Sequence, residues 1–206
     1  MTPEELQAHF EDEDGGFCFA RWSRPVVPMV LGVEAQTLAV VKGALEAVVA
    51  LAGHRMAETD PEMGANLYIL FLRDWSELEE ARAFAELVPE LADALPRLRA
   101  QGANRYRVFR FERDGAIRAA FSFLRMDQAL MALPADVLAL GEAVKLMLRW
   151  GPRAFAAAPP LAAVREKAML RADVAELLRA AYAPELPAAA DDPAFALRLF
   201  ARMPRG

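Results

Sequence analysis

Residues 105–125 constrain this chain more than any other stretch. "RYRVFRF" sets Tyr106, Val108, Phe109 and Phe111 against Arg105, Arg107 and Arg110, close to the period-two pattern of a half-buried strand. "ERDG" follows, and its Asp114-Gly115 pair is a hairpin signal. "AIRAAFSFLR" then returns as the partner strand. Two runs joined by so short a turn can pair only antiparallel, so the fold must contain this hairpin. "NLYILFL" is a short continuous apolar run, as in a strand buried on both faces. "FCFARWSRPVVPMVL" is extended, and Pro25 and Pro28 confine it to an edge or an irregular strand.

Helices separate these strands. Residues 2–10 read as a short helix, followed by the exposed acidic turn "EDEDGG". That turn lacks the alternating ligands and closing Glu of a calcium loop and reads as solvated. From 35 to 52, Leu38, Val41, Leu45, Val48, Val49 and Ala52 share one helical face, with Gly53 placed to end the helix. Residues 76–100 are helical, with Ser76 as N-cap and Glu79 completing a capping box, and Pro89 and Pro96 break the region into pieces. "LPADVLALGEAVKLMLRWG" predicts a long helix ended by Gly151. A Pro/Ala loop, a helix over 161–183 and a short helix over 193–202 complete the chain. The order β-α-β-α-β-β-α-α predicts an α+β fold, one sheet with packed helices and a helical C-terminal part. The 206 residues suit one domain: an N-terminal helix and acidic loop over 1–16, a sheet and helix core over 17–151, and a helical part over 152–206. No internal repeat is visible.

Composition excludes several classes. With 55% apolar and 26% charged residues the chain is globular rather than disordered. A formal net charge of −5 argues against a nucleic-acid surface, which needs a clustered basic face. The most apolar region, 26–52, is interrupted by Pro28, Gly32, Glu34, Lys42 and Glu46, so no membrane span is expected. The N-terminus has neither a basic n-region nor an apolar h-region. A cytoplasmic location is expected for the chain as written, or export if a leader has been removed.

Few residues offer catalytic chemistry. The single cysteine, Cys18, lies between Phe17 and Phe19 and reads as a small buried hydrophobe. Of the two histidines, His9 lies in a helix and His54 at a helix end, with no His-x-x-x-His pair. His54 with Glu58, Asp60 and Glu62 forms at best a weak metal cluster, and a histidine near a helix C-terminus more often serves the helix dipole. None of Ser23, Ser76 and Ser122 sits in a nucleophile elbow, and no phosphate loop or dinucleotide fingerprint is present. No metal and no cofactor is expected. The arginines at 105, 107, 110 and 113 could hold an anion, but alternation in a hairpin more often marks a solvated strand face.

Four stretches together, spread over residues 20–200, resemble a bacterial family, the domain-of-unknown-function family 2927. "RWSRPVVPMVLG" is similar to its opening Arg-Trp strand, and "ALEAVVALAGHRMAETDPEMGANLYILFL" to its helix, turn and Asn-led strand. "DGAIRAAFSFLR" is similar to its next strand. "LRADVAELLRAAYAPEL" resembles its closing helix, with Asp173, Leu177, Leu178, Tyr182, Pro184 and Leu186 at matching spacing. In that family the preceding helix carries a Glu-Glu-x-x-Gln-x-Leu-Gly pattern, similar to a worn His-Glu-x-x-His-x-x-Gly helix of zinc peptidases. The resemblance therefore implies a zincin-like mixed sheet. It sets Gly141 and Lys145 where two histidine ligands would stand, and Glu142 where the general base would stand. The present helix departs even from the family, with Gly141, Lys145 and Met147-Leu148 in place of its Glu, Gln and Leu-Gly. Glu142 and Lys145, three apart, can pair on one face.

The expectation is a non-catalytic zincin-like domain that binds a peptide or a protein partner. The alternative is a hydrolase or peptidase using Glu142 with an unrecognised metal set. The binding cleft is expected between strand 117–124, taken as an edge strand open to an added peptide, and helix 135–150. Ala119, Ala120 and Ser122 would let a second backbone approach, Arg118 and Arg125 would flank it, and Glu142 and Lys145 would form its floor. Tyr182, Leu178 and Leu186 are expected to pack the closing helix onto the rest of the chain.

Overall fold

The computed structural model describes residues 1–164 and 167–203. The first third contains α1 (Pro3–Ala8), β1 (Phe19–Ala20), β2 (Pro28–Leu31), α2 (Ala35–Leu51) and β3 (Leu67–Leu72). The middle contains α3 (Glu77–Glu80), α4 (Arg82–Leu87), α5 (Leu91–Ala100), β4 (Arg105–Phe111), β5 (Ile117–Arg125), α6 (Gln128–Met131) and α7 (Ala135–Met147). The remainder contains β6 (Leu161–Val164), β7 (Lys167–Leu170), α8 (Ala172–Ala181), β8 (Ala189–Ala190) and α9 (Ala194–Phe200).

The main sheet has the order β2-β3-β5-β4. β2, β3 and β5 run parallel, and β4 is antiparallel to β5, which makes the fold α+β with a mixed sheet. Every residue of β3 is buried, as its unbroken apolar run requires for a strand covered on both faces. Leu67, Ile69, Ala120 and Leu124 face the layer built by α2 and α7. Tyr68, Leu70, Phe121 and Phe123 face the layer built by α3 and α5, through Leu78, Leu91, Leu95 and Leu98. The sheet is thus a slab between two helical layers. The hairpin forms as its sequence demands, turning at Gly115 with φ +83. Its register shifts once: Arg110 opposes Ala119 but Phe111 opposes Ile117, so Arg118 is the extra residue and bulges out.

The structure departs from the sequence expectations in five places. First, strand 117–124 is internal, held by β3 on one side and β4 on the other, so it cannot accept an added strand; the edges are β2 and β4. Second, the helix expected over 161–183 is a β6–β7 hairpin followed by α8, and only the part from Ala172 is helical. Third, the capping box sits two residues early. Ser76 makes no cap; Asp74 Oδ1 accepts from the Ser76 amide at 2.9 Å, and Glu77 Oε1 reaches back to the Asp74 amide at 3.1 Å. Fourth, Pro89 separates α4 from α5 as expected, but Pro96 lies inside α5 without ending it. Fifth, α7 stops at Met147, four residues before Gly151, because Leu148 turns extended and bridges Arg21.

That early stop leaves the last carbonyls of α7 without helical partners. Aromatic side chains supply them. Trp150 Nε1 donates to the Val144 carbonyl at 3.1 Å, Trp22 Nε1 to Leu146 at 2.8 Å, and the Tyr182 hydroxyl to Met147 at 2.7 Å. The Trp22 amide in turn donates to the Tyr182 oxygen at 3.4 Å. Leu178 and Leu186 are buried beside Tyr182, so the closing helix is part of the core. Replacing Tyr182 by Ala should cost about 3 kcal/mol or more, and by Phe about 1–2 kcal/mol from the stranded carbonyl and amide. Urea titration of both variants at pH 7 checks this, and a Tyr182→Phe as stable as the parent would mean that the hydroxyl contributes nothing.

Candidate functional site

α7 is apolar on nearly every side. Leu138, Ala139, Ala143, Val144, Leu146 and Met147 are all buried. Among them lies one acid: Glu142 is 2% exposed. A lone carboxylate at such a site would be neutral or destabilising, so its partners decide its state. Arg105 Nε donates to Oε1 at 3.0 Å; Arg107 Nε donates to Oε2 at 3.2 Å and its Nη2 to Oε1 at 3.4 Å. The Ser122 hydroxyl donates to Oε2 at 3.3 Å, and Lys145 Nζ stands 4.0 Å from Oε1.

Two simple periods assemble this cluster. Arg105 and Arg107 are two apart on β4 and so share a face of the sheet. Ser122 opposes Arg107 across the ladder and shows the same face. Glu142 and Lys145 are three apart on α7 and share a helical face. The α7 layer then meets the sheet face at these five side chains. The arginines of the hairpin are therefore not a solvated strand face: two hold Glu142, and Arg110 pairs with Glu90 at the start of α5 at 2.7 Å.

Three cations surround one carboxylate. Burial pushes the Glu142 pKa up, but Arg107, Lys145 and Arg105 outweigh it and hold the group below the ordinary carboxylate value. For Lys145 the balance runs the other way. Burial lowers its pKa, Glu142 raises it, and Arg107 and Arg105 lower it again, with a net decrease. The Glu142 shift reflects the surrounding cations, whereas the Lys145 shift reflects chiefly its burial, with the two arginines adding to it.

Beside the cluster lies a cleft of about 420 Å³ between α7 and the β6–β7 hairpin. Arg105, Lys145, Lys167 and Glu142 line it with charge, while Val137, Leu138 and Leu161 give it apolar walls. Gly141 opens it: a Cβ there would meet nothing nearer than Leu161 Cδ1, at 3.8 Å.

The structure thus brings Glu142, Lys145 and Ser122 together and separates the other expected residues from them. Ala120 is fully buried against the α2–α7 core and is closed to a ligand. Arg118 lines a different cleft, of about 720 Å³, where it pairs with Glu62 at 3.1 Å. Arg24 also binds Asp60, Glu62 and Glu112 there, and Asp60 accepts from Asn66 Nδ2 at 3.1 Å. This network ties the loop before β3 to the hairpin turn. His54 does not join it, since its Nε2 contacts the Arg24 carbonyl at 2.9 Å and its ring packs on Tyr182. His9 packs against Trp150 and Phe155. Among the described residues no three His, Cys, Asp or Glu side chains come together as a metal-binding group. Cys18 is buried, with its Sγ 3.2 Å from the Phe10 carbonyl, and burial raises its pKa. Among the described residues no helix is long and apolar enough to cross a membrane.

Arg105 and Arg107, weighed from the sequence as anion holders and set aside as a solvated strand face, do hold an anion, the carboxylate of Glu142. Their period-two spacing was the available signal, but nothing local shows that the acid they face lies on α7. No family model, curated protein or solved structure matches the chain.

The lowered Glu142 pKa makes a pH prediction. A carboxylate with a folded pKa below its unfolded value of 4.5 stabilises the fold above that value, and the contribution is lost as pH falls through the folded pKa. Glu142→Gln, which leaves three cations facing a neutral amide, should cost about 3 kcal/mol or more at pH 7. The gap to the parent should narrow below about pH 4 as the parent's carboxylate protonates. Denaturant titrations at pH 7, 5 and 3.5 read both effects; a gap independent of pH would show that the charge of Glu142 is not what stabilises the cluster.

Proposed function

We propose that the chain is a non-catalytic, zincin-like domain that binds a peptide or protein segment. The cleft it uses lies between α7, the start of β4 and the β6–β7 hairpin. The single observation that carries this reading is the unequal charge in its lining, where, among the described residues, Arg105, Lys145 and Lys167 stand with Glu142 as the one acid, beside apolar walls. Pockets with mostly apolar lining and a few convergent polar groups are the usual form of a binding site. The edge strand β4 borders the same region and offers an unpaired side for backbone contact. The zincin-like part of the reading rests on the resemblance alone, which sets Glu142 where a general base would stand.

The hydrolase alternative fares worse on chemistry. A general base works best with a pKa near the working pH and a free lone pair aimed at water. Glu142 has its pKa held low and accepts from Arg105, Arg107 and Ser122.

Two measurements test the proposal. Hydrogen exchange of the protein with a randomised hexapeptide pool should show added protection in 105–111 and 161–170. Unchanged exchange throughout both segments would sink the binding reading. Incubation with a quenched fluorescent peptide library, with and without added zinc, should give no cleavage; turnover abolished by Glu142→Gln in a folded variant would establish the hydrolase instead.

A further inference from the structure

We infer that the cleft beside Glu142 takes the free C-terminus of a chain, with the terminal carboxylate on Lys145 and Arg105 and an apolar last side chain between Val137, Leu138 and Leu161. This rests on the peptide-binding reading of the same cleft and names the part of the partner that enters it.

Charge is the first support. The cluster carries two positive charges more than it neutralises, and one incoming carboxylate would halve that excess. Donor supply is the second. Arg105 spends only Nε on Glu142, and among the described residues its two terminal nitrogens have no acceptor. Lys145 Nζ has none either; its only anionic neighbour among the described residues is Glu142, 4.0 Å away. An ammonium and a guanidinium with unused donors at the edge of one cleft form a carboxylate receptor. A carboxylate at Lys145 would also favour its charged form, against the lowering that burial and the neighbouring arginines cause.

Adjacency and size narrow the ligand further. The cations stand directly beside apolar walls, so the ligand must carry its anion and its apolar group close together. A terminal α-carboxylate and the last side chain share one Cα and meet that demand. An internal acidic residue carries its anion on its own side chain and must draw the apolar group from a neighbouring residue. The volume of about 420 Å³ lies at the small end of ligand pockets, which suits the end of a chain.

The test uses fluorescence anisotropy of the full chain with labelled hexapeptides. One pool ends in Leu or Phe as the free acid, a second is the same pool amidated, and a third is amidated with an internal Glu. The free-acid pool should bind, and both amidated pools should bind at least about tenfold more weakly. Lys145→Gln should weaken the free-acid pool by about tenfold or more, and Lys145→Arg should restore part of it. Gly141→Leu should abolish binding by filling the cleft while keeping the melting temperature, since leucine is the better helix former. Equal binding of acid and amide pools would overturn the terminal-carboxylate assignment and leave the peptide-binding reading standing. Preference for the internal-Glu pool would assign the cations to an acidic side chain instead. Failure of all three pools to bind would overturn both.

Discussion

The position of α7 depends on how the charge of Glu142 is met. Apolar burial alone would let this helix slide or rotate on the sheet, because leucine, valine and alanine occur on nearly every side of it. A buried carboxylate does not allow that freedom. It must stay within hydrogen-bond reach of Arg105, Arg107 and Ser122, and those side chains are fixed by the β4–β5 ladder. Such a group adds little net stability over an apolar substitute, but any other docking of the helix would leave a charge unpaired. Glu142 therefore acts as a register pin between one helical layer and the sheet.

The same arrangement explains why the cluster faces a cleft. One carboxylate can satisfy only part of what three cations offer, and two of them, Arg105 and Lys145, line the cleft bounded by the β6–β7 hairpin. Gly141, one residue before the pin, keeps bulk away from that side. Structure and chemistry meet at two successive residues: Gly141 leaves room beside the helix and Glu142 fixes it.

Much of this was legible in the sequence. The hairpin, the buried β3 strand, the α2 face and the packing of Tyr182 all follow from periodicity and turn chemistry, because each depends on neighbours close along the chain or on plain burial. The placement of β5 was not read correctly. Its core, "AAFSF", has no charge, whereas "RYRVFRF" carries three arginines, and that contrast marks β4 as the edge and β5 as the interior strand. The region 161–170 was misread because "LAAV" and "KAML" suit a helix by propensity, and only pairing with each other makes them strands. At the site, Glu142 and Lys145 were visible as a helical pair. The arginine contacts were not, since they join β4 to α7 across 35 and 37 residues of sequence.

The aromatic caps of α7 have a consequence for how the chain is made. The carbonyl of Met147 is satisfied by a tyrosine 35 residues further on, and that tyrosine also receives the amide of Trp22, 160 residues before it. At about 5–20 residues per second, roughly 2–7 s pass between synthesis of Met147 and synthesis of Tyr182. Until Tyr182 is in place the Met147 carbonyl and the Trp22 amide lack the side chain that joins them. Leu186, Phe195 and Leu199 of the same core are made later still, so the corner at the end of α7 closes only when Tyr182 and these residues dock together.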